Sequence, residues 1–430
     1  KDSHQYLDIV SLFRPITKWN TAMSSPEAVA EAVRKAFKVA ESEKPGAAHL
    51  ELPEDVAKME TSGRPIAVHR VRRPDPDQHA LREAVALISR ANKPLVLAGN
   101  GAVRKPASDQ LRECVSRCHM PIAHTFMGQG AVSDDSPESL HTIGLGFRDF
   151  VMEAVDQADL IITVGYDLTE YAPDAWNPKA DKTILHIDFT SAEVDSHYQP
   201  AVEIVADIPA TLRELNEQLA ATQCSLDAAW YVLIRDRIRA DIKSYDLKPG
   251  QPLNVPGALN LLREMMGDED LLISDVGSHK MWIARNFPTR CPNGCLMSNG
   301  LASMGIALPG GIAAALHNPA RRVVAVMGDG GFMMNSQELE TAKRLGVAFT
   351  VILFNDNDYG LISWKQQMSH GRSTGTRLTN PDFKKYAESF GIRAFSPRTL
   401  QELRQQLPVA LSCGELCVVD IQTDQHVNTE

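Results

Sequence analysis

Two short acidic stretches hold the residues of this chain best suited to chemistry: Met327-Gly328-Asp329-Gly330-Gly331 and, further on, Asn355-Asp356-Asn357-Asp358-Tyr359-Gly360. Carboxylates hold a hard cation such as Mg²⁺ through oxygen. Glycine turns and helix N-termini present backbone N–H groups that hold phosphate. Aspartates brought together beside such a turn read as a Mg²⁺-diphosphate site. Taken singly, Gly-Asp-Gly is an ordinary turn and Asn-Asp-Asn-Asp a solvated loop. The reading rests on their spacing and on the apolar run that precedes each.

The elements that must position them follow from the pattern. Val323 to Met327 is an apolar run with the character of a buried strand, 333–345 is helical in period, and Ala348 to Phe354 is a second apolar run. That order is a βαβ unit. A right-handed crossover sets the strands parallel, so both acidic stretches leave the sheet at one edge. A P-loop is excluded, because no Gly-Lys-Ser/Thr follows the glycines. The dinucleotide fingerprint is excluded too, since the third glycine is missing and an acidic residue sits inside the turn. An EF-hand carries its ligands within one short loop, not across a crossover.

These two stretches resemble the thiamin diphosphate (ThDP) motif of the ThDP-dependent decarboxylase and carboligase superfamily. Ser298-Asn299-Gly300-Leu301-Ala302-Ser303-Met304-Gly305, Asp275-Val276-Gly277-Ser278-His279, and Gly331-Phe332 with Glu338-Leu339-Glu340-Thr341-Ala342 narrow the likeness to the large or catalytic subunit of acetolactate synthase. Pro15-Ile16-Thr17-Lys18-Trp19-Asn20 and Glu51-Leu52-Pro53-Glu54-Asp55-Val56 agree, and the similarity runs along nearly all of the chain. The resemblance implies an α/β protein of doubly wound parallel-sheet domains with the ThDP-binding fold, its N-terminal domain incomplete. It implies ThDP and Mg²⁺ as cofactors, decarboxylation of pyruvate, and carboligation to a second 2-oxo acid to give 2-acetolactate and CO₂. Two other readings stay open: another ThDP-dependent 2-oxo acid decarboxylase or carboligase, and a catalytically inactive ThDP-fold protein with a structural or regulatory role.

Roles for single residues come from the same resemblance. Asp329 and Asp356 supply carboxylates to Mg²⁺, and Asp358 a backbone carbonyl. Gly328, Gly330 and Gly331 let the backbone approach the diphosphate without a side-chain clash. Gly277, Ser278 and His279 contact the diphosphate from a neighbouring turn, His279 having a plain surface position as its alternative. Tyr359 and Gly360 continue the cofactor loop. Met304 matches the apolar residue that wedges under the cofactor and forces its bent conformer, with a simple core role as the alternative. Lys365 stands where relatives place an acceptor-pocket residue; it either pairs with the acceptor carboxylate or points to solvent, and acceptor preference (pyruvate or 2-oxobutyrate) follows that choice.

Gly99-Asn100-Gly101 follows an apolar run, but without a third glycine it reads first as a tight strand-to-helix turn. Biosynthetic relatives bind FAD in this domain through an Arg-Phe-Asp-Asp-Arg signature. Here the position reads Gly165-Tyr166-Asp167-Leu168-Thr169-Glu170-Tyr171, as in the catabolic, FAD-independent type, so FAD is not expected. Family members are also longer at the front, where a complete pyrimidine-binding domain carries the activating glutamate. No residue of 1–60 takes that role, so the catalytic acid is unassigned. The chain is expected to be a piece of a longer protein that binds the cofactor without turning over alone. A homodimer or homotetramer with the active site between subunits is implied.

Bulk properties agree. A formal net charge of −10 over 430 residues speaks against nucleic acid and anionic membrane surfaces as partners. No apolar run has the length of a membrane span, and the first residues do not form a signal peptide, so a cytoplasmic enzyme is expected. Six of the seven cysteines fall in Cys-x₃-Cys pairs, Cys114/Cys118, Cys291/Cys295 and Cys413/Cys417, which is not the usual zinc spacing; free thiols are expected. The organisation reads as 1–71 from the end of a pyrimidine-binding domain, 78–215 a central α/β domain, 216–250 a polar helical connector, and 251–430 the diphosphate-binding domain. In 1–71 an extended segment from Ile16 to Trp19, a helix from Pro26 to Glu41 and a strand from Ala47 to Leu52 are expected, and 72–77 is a proline-rich linker.

Overall fold

A computed structural model of the chain describes residues 4, 7–69, 71–222 and 226–423. The outermost residues of the ranges 1–71 and 251–430 lie outside these. The chain divides into two units, one of 1–75 with 189–191 and 205–207, the other holding the remainder.

In the first unit, strands β1 (Trp19–Ala22) and β2 (Ala48–Glu51) pair in parallel, joined by the helix Val29–Glu41. The strand begins later than the extended segment expected from Ile16. Pro15, its φ fixed, sits in a 3₁₀ turn over Arg14–Ile16, and the Thr17 hydroxyl donates to the Phe13 carbonyl at 2.7 Å, so the backbone extends only from Thr17 onward.

Two six-stranded sheets build the second unit. The first uses β3 (Pro94–Ala98), β4 (Ile122–His124), β5 (Ser139–Thr142), β6 (Leu160–Val164), β7 (Thr183–Asp188) and β8 (Val202–Val205), in the order β5-β4-β3-β6-β7-β8. β3 and β6 are buried at every position, as continuous apolar runs must be in a parallel sheet covered on both faces. β5, Ser-Leu-His-Thr, carries no apolar run to mark it. It is nonetheless buried throughout, because its polar groups are satisfied internally: Ser139 Oγ donates to Asp134 at 2.9 Å and Gln129 Nε2 donates to Thr142 Oγ1 at 3.0 Å. The stretch 216–250 is more than a polar connector. The helix Ile208–Ala221 runs across residue 215, and the helix Ala229–Ser244 buries Tyr231, Ile234, Ile238 and Ile242 in the core of the first sheet.

The second sheet uses β9 (Leu271–Ser274), β10 (Cys295–Met297), β11 (Val323–Gly328), β12 (Thr350–Asn355), β13 (Arg393–Phe395) and β14 (Cys417–Gln422), all parallel, in the order β10-β9-β11-β12-β14-β13. The chain winds one way from β9 to β10 and the other way from β11, so the strand order reverses between β9 and β11. A ligand crevice is expected at the carboxyl ends there. The helix expected over 333–345 is two helices, Asp329–Asn335 and Glu338–Leu345, broken at Ser336-Gln337. Asp329 is thus a first-turn helical residue and not part of a free turn.

In the first sheet the equivalent reversal lies between β3 and β6, and there the crevice is filled. Gly165 has φ +58°, and a Cβ on it would fall 2.6 Å from the Ala102 nitrogen. The Glu170 carboxylate accepts the Asn100 N–H at 3.0 and 3.1 Å, the Asp167 N–H at 3.2 Å and the Thr125 hydroxyl. The Asn100 amide at this turn, where a dinucleotide fold would present a free N–H, is therefore already taken by a buried carboxyl that burial pushes up to about 7. Gly165→Ala is expected to lower the unfolding free energy by about 1–2 kcal/mol, from the left-handed φ and the backbone clash together, read as a denaturant midpoint shift at unchanged m-value.

Cys114, Cys118, Cys291 and Cys295 are buried, and Cys291 and Cys295 are free thiols. Cys413 and Cys417 lie beside one another with Cα atoms 7.6 Å apart, wider than a disulfide spans. No helix among the described residues is long and apolar enough to cross a membrane.

Candidate active site

β9, β11 and β12 end side by side, and each runs into a helix: Ser278–Asn286, Asp329–Asn335 and Gly360–His370. Apolar registers such as Val324↔Leu272 and Met327↔Leu353 hold the strands in step, so the three strand-to-helix junctions open on one cavity of about 100 Å³. All twelve residues singled out above line it: Gly277, Ser278, His279, Met304, Gly328, Asp329, Gly330, Gly331, Asp356, Asp358, Tyr359 and Gly360. Val255 and Val276 add apolar wall.

Asp329 is buried and heavily bonded. Its Oδ1 accepts the Gly330 N–H at 2.8 Å, and its Oδ2 accepts the Asn357 N–H at 2.8 Å and the Asn380 amide at 2.6 Å. These donors aim the carboxylate and tie the β11 and β12 junctions together. Asp356 accepts the Asp358 N–H at 3.2 Å. Its carboxyl is pushed up to about 7, first by burial and then by the neighbouring Asp329 charge, with Asp358 adding to it. Burial raises Asp329 as well. Acidic groups that hold one another's protons on are the electrostatic mark of a place suited to a divalent cation.

The phosphate side is a cradle. A Cβ on Gly330 would fall 2.5 Å from the Tyr359 ring, one on Gly331 2.9 Å from Asp275 Oδ2, and one on Gly328 3.4 Å from the His279 ring. His279 is not a surface residue: it is buried, its pKa is pushed down to about 4 by that burial, and its Nε2 has no hydrogen-bond partner among the described residues. A neutral imidazole with one unmatched nitrogen is a group waiting for a ligand atom. The oxygen set of Asp329, Asp356 and the Asp358 carbonyl suits Mg²⁺, and helix N-termini beside it suit a diphosphate. The residues therefore fit ThDP and Mg²⁺.

Lys365 is not in this cavity. It lines an adjoining one of about 300 Å³ with Phe147, Met281, Trp282, Arg285 and Trp364, and the two cavities share Ser278 and Leu361. Its side chain is exposed. Three participants carried no assigned role in the sequence reading. Asn380 comes from beyond the acidic loop, and its only local signal is a turn-forming Asn-Pro. Asp275 stands in a recognised motif, and accepts the Gly305 N–H at 2.9 and 3.0 Å. Lys280 is a lysine inside an apolar helix face, beside Trp282 and Ile283.

Comparison with known proteins bears on this geometry. The family described as thiamine pyrophosphate enzyme, central domain, matches residues 81–215, and thiamine pyrophosphate enzyme, C-terminal TPP binding domain, matches 275–421. Acetolactate synthase of Bacillus subtilis is 32% identical over 441 residues, covering 100% of this chain and 76% of its own length. The catabolic acetolactate synthase of Raoultella terrigena is 32% identical over 99% of this chain and 77% of its own. A probable acetolactate synthase large subunit of Methanocaldococcus jannaschii is 30% identical over 98% and 74%.

Proposed function

The chain belongs to the acetolactate synthase family of ThDP enzymes, and from that premise we propose that its cavity at the β9/β11 reversal holds ThDP and Mg²⁺ for the synthesis of 2-acetolactate. The single observation that carries this reading is the convergence of Asp329, Asp356, His279 and Met304, from four separate stretches of sequence, on one cavity. Pyruvate is the donor 2-oxo acid, and a second 2-oxo acid is the acceptor.

Bound ThDP supplies the carbanion chemistry that decarboxylation and carboligation need. The chain's own residues bind and orient. Asp329, Asp356 and the Asp358 carbonyl would hold Mg²⁺, and the Gly328, Gly330 and Gly331 backbone leaves room for the diphosphate. Ser278 and His279 would meet it from the junction after β9. Met304 would be the apolar support against which the bound cofactor is oriented, a contribution of enforced proximity. Trp282, Trp364 and Met281 in the adjoining cavity exclude water from the acceptor, whose carboxylate pairs with Lys365 at the rim. The functional unit is a homodimer or homotetramer in the cytoplasm, with the site completed between subunits.

The test is product analysis of the full-length protein with ThDP, Mg²⁺ and pyruvate alone. One 2-acetolactate per CO₂ is the expected result. Free acetaldehyde in its place would assign the protein to the sibling decarboxylases. With a second 2-oxo acid varied as acceptor at saturating pyruvate, Lys365→Met is expected to raise the KM for the acceptor about tenfold, the scale of one lost hydrogen bond to a charged group, with little change in kcat.

A further inference from the structure

Lys280 carries a charge that cofactor binding does not use. It is 8% exposed, and burial alone pulls its pKa down to about 8 with no carboxylate opposing it. Its Nζ donates to the Ser298 carbonyl at 2.8 Å and to Asn299 Oδ1 at 2.6 Å, and lies 5.2 Å from the centre of the Phe126 ring. Asn299 Nδ2 donates in turn to the Glu170 carbonyl at 3.1 Å. Glu170 is itself held in the filled crevice of the first sheet.

The same loop has a second anchor. At its far end the Gly305 N–H donates to Asp275, and Asn335 Nδ2 donates to the Gly305 carbonyl at 2.9 Å. Between the anchors the chain has no helix or strand, passes through left-handed conformations at Gly300 and Ala302, and leaves Leu301 92% exposed. Met304 stands just before the second anchor and lines the cofactor cavity. A segment with so little packing of its own is ordered by its ends.

We propose that Lys280 is a positioning residue: through Ser298 and Asn299 its ammonium pins the front of the 298–305 loop to the first sheet at Glu170, and so sets where Met304 stands in the cofactor cavity. The role assigned to Met304 rests on the cofactor reading of that cavity; the pinning of the loop does not.

The electrostatics give the proposal a distinctive signature. The groups facing the ammonium are Ser298 and Asn299 from the loop, Phe126 from the first sheet's side and His279 on its own helix; Glu170 meets it only through its carbonyl and Asn299. His279 is kept neutral by burial. For a lysine whose pKa is lowered on folding, the folded state disfavours the charge. Stability is therefore depressed below about pH 8 and recovers as pH rises toward the ordinary value of 10.5. At neutral pH the charge costs stability, so Lys280→Met separates positioning from packing.

The experiment compares wild type, Lys280→Met and Asn299→Ala in the full-length protein. Hydrogen exchange across 298–305 is followed without cofactor, alongside the thermal midpoint and a ThDP titration at saturating Mg²⁺. In Lys280→Met, exchange in 298–305 is expected to rise about tenfold relative to the helix Ser278–Asn286, and ThDP affinity to fall about tenfold, the scale of a lost charged hydrogen bond. The midpoint stays level or rises. Asn299→Ala loosens the loop by less, because the Ser298 contact survives, and it supplies the exchange result should Lys280→Met fail to fold. Unchanged loop exchange in both variants overturns the proposal. So does a lowered midpoint with protection lost across the whole second sheet, which is the signature of a core residue. If wild type takes up no ThDP, the cofactor reading fails while the exchange data still decide the role of Lys280.

Discussion

Asp329→Ala is expected to weaken Mg²⁺-dependent ThDP binding by about a hundred- to several-thousand-fold, measured by calorimetric titration with and without Mg²⁺. The magnitude is that of removing one partner from a buried charge pair, about 3–5 kcal/mol. Two losses add here. The metal loses a carboxylate, and the Asn357 N–H and Asn380 amide lose their shared acceptor at 2.8 and 2.6 Å. The second loss also slackens the junction of β11 and β12, so the cofactor-free thermal midpoint should fall modestly. Asn380→Ala separates the two effects: it keeps the carboxylate and is expected to cost only about tenfold in affinity. Binding that survives Asp329→Ala at wild-type strength would remove the diphosphate site from this cavity.

The pH dependence of the same titration carries the next largest effect. Asp356 is pushed up to about 7 by burial and then by Asp329, and a metal ligand must be deprotonated to bind. Below about pH 7, apparent ThDP affinity at limiting Mg²⁺ should fall, approaching tenfold per unit, by about fiftyfold in all between pH 7 and pH 5. The stability of the metal-free protein runs the other way. A carboxyl raised on folding contributes stability that is fully present below its ordinary value of 3.8 and is lost as pH rises through about 7. The metal-free midpoint is thus expected to decline through pH 7, and saturating Mg²⁺ to remove that decline. Asp356→Asn should flatten both profiles; a wild-type affinity that does not vary between pH 5 and 8 would refute the assignment of Asp356.

Loop order joins these site energetics through Lys280. Asp275 and Lys280 stand five residues apart on either side of the turn after β9 and hold opposite ends of the 298–305 loop. Cofactor affinity is therefore expected to reflect both the carboxylates proposed to hold the metal and the loop that carries Met304.

What the sequence determined by itself was local and periodic. β3, β6 and β9 begin and end where their apolar runs do, because a strand covered on both faces must be apolar throughout. The two acidic stretches were legible as one site because each directly follows such a strand, and parallel strands deliver their carboxyl ends to one edge. Elements whose stability comes from partners were not legible. β5 is polar and buried because Asp134 and Gln129, in the loop between β4 and β5, fold back to satisfy its hydroxyls. The helix Ala229–Ser244 reads as a polar connector, because only its narrow buried face marks it as core. At Ser336-Gln337 the backbone keeps right-handed helical dihedrals, and no breaking residue announces the interruption. Only the tertiary structure brought Asn380 to Asp329, placed Lys365 in the adjoining cavity and set Lys280 against Asn299. Each of these depends on residues distant in sequence meeting at one point, where burial strengthens their electrostatics, and no spacing along the chain encodes that meeting.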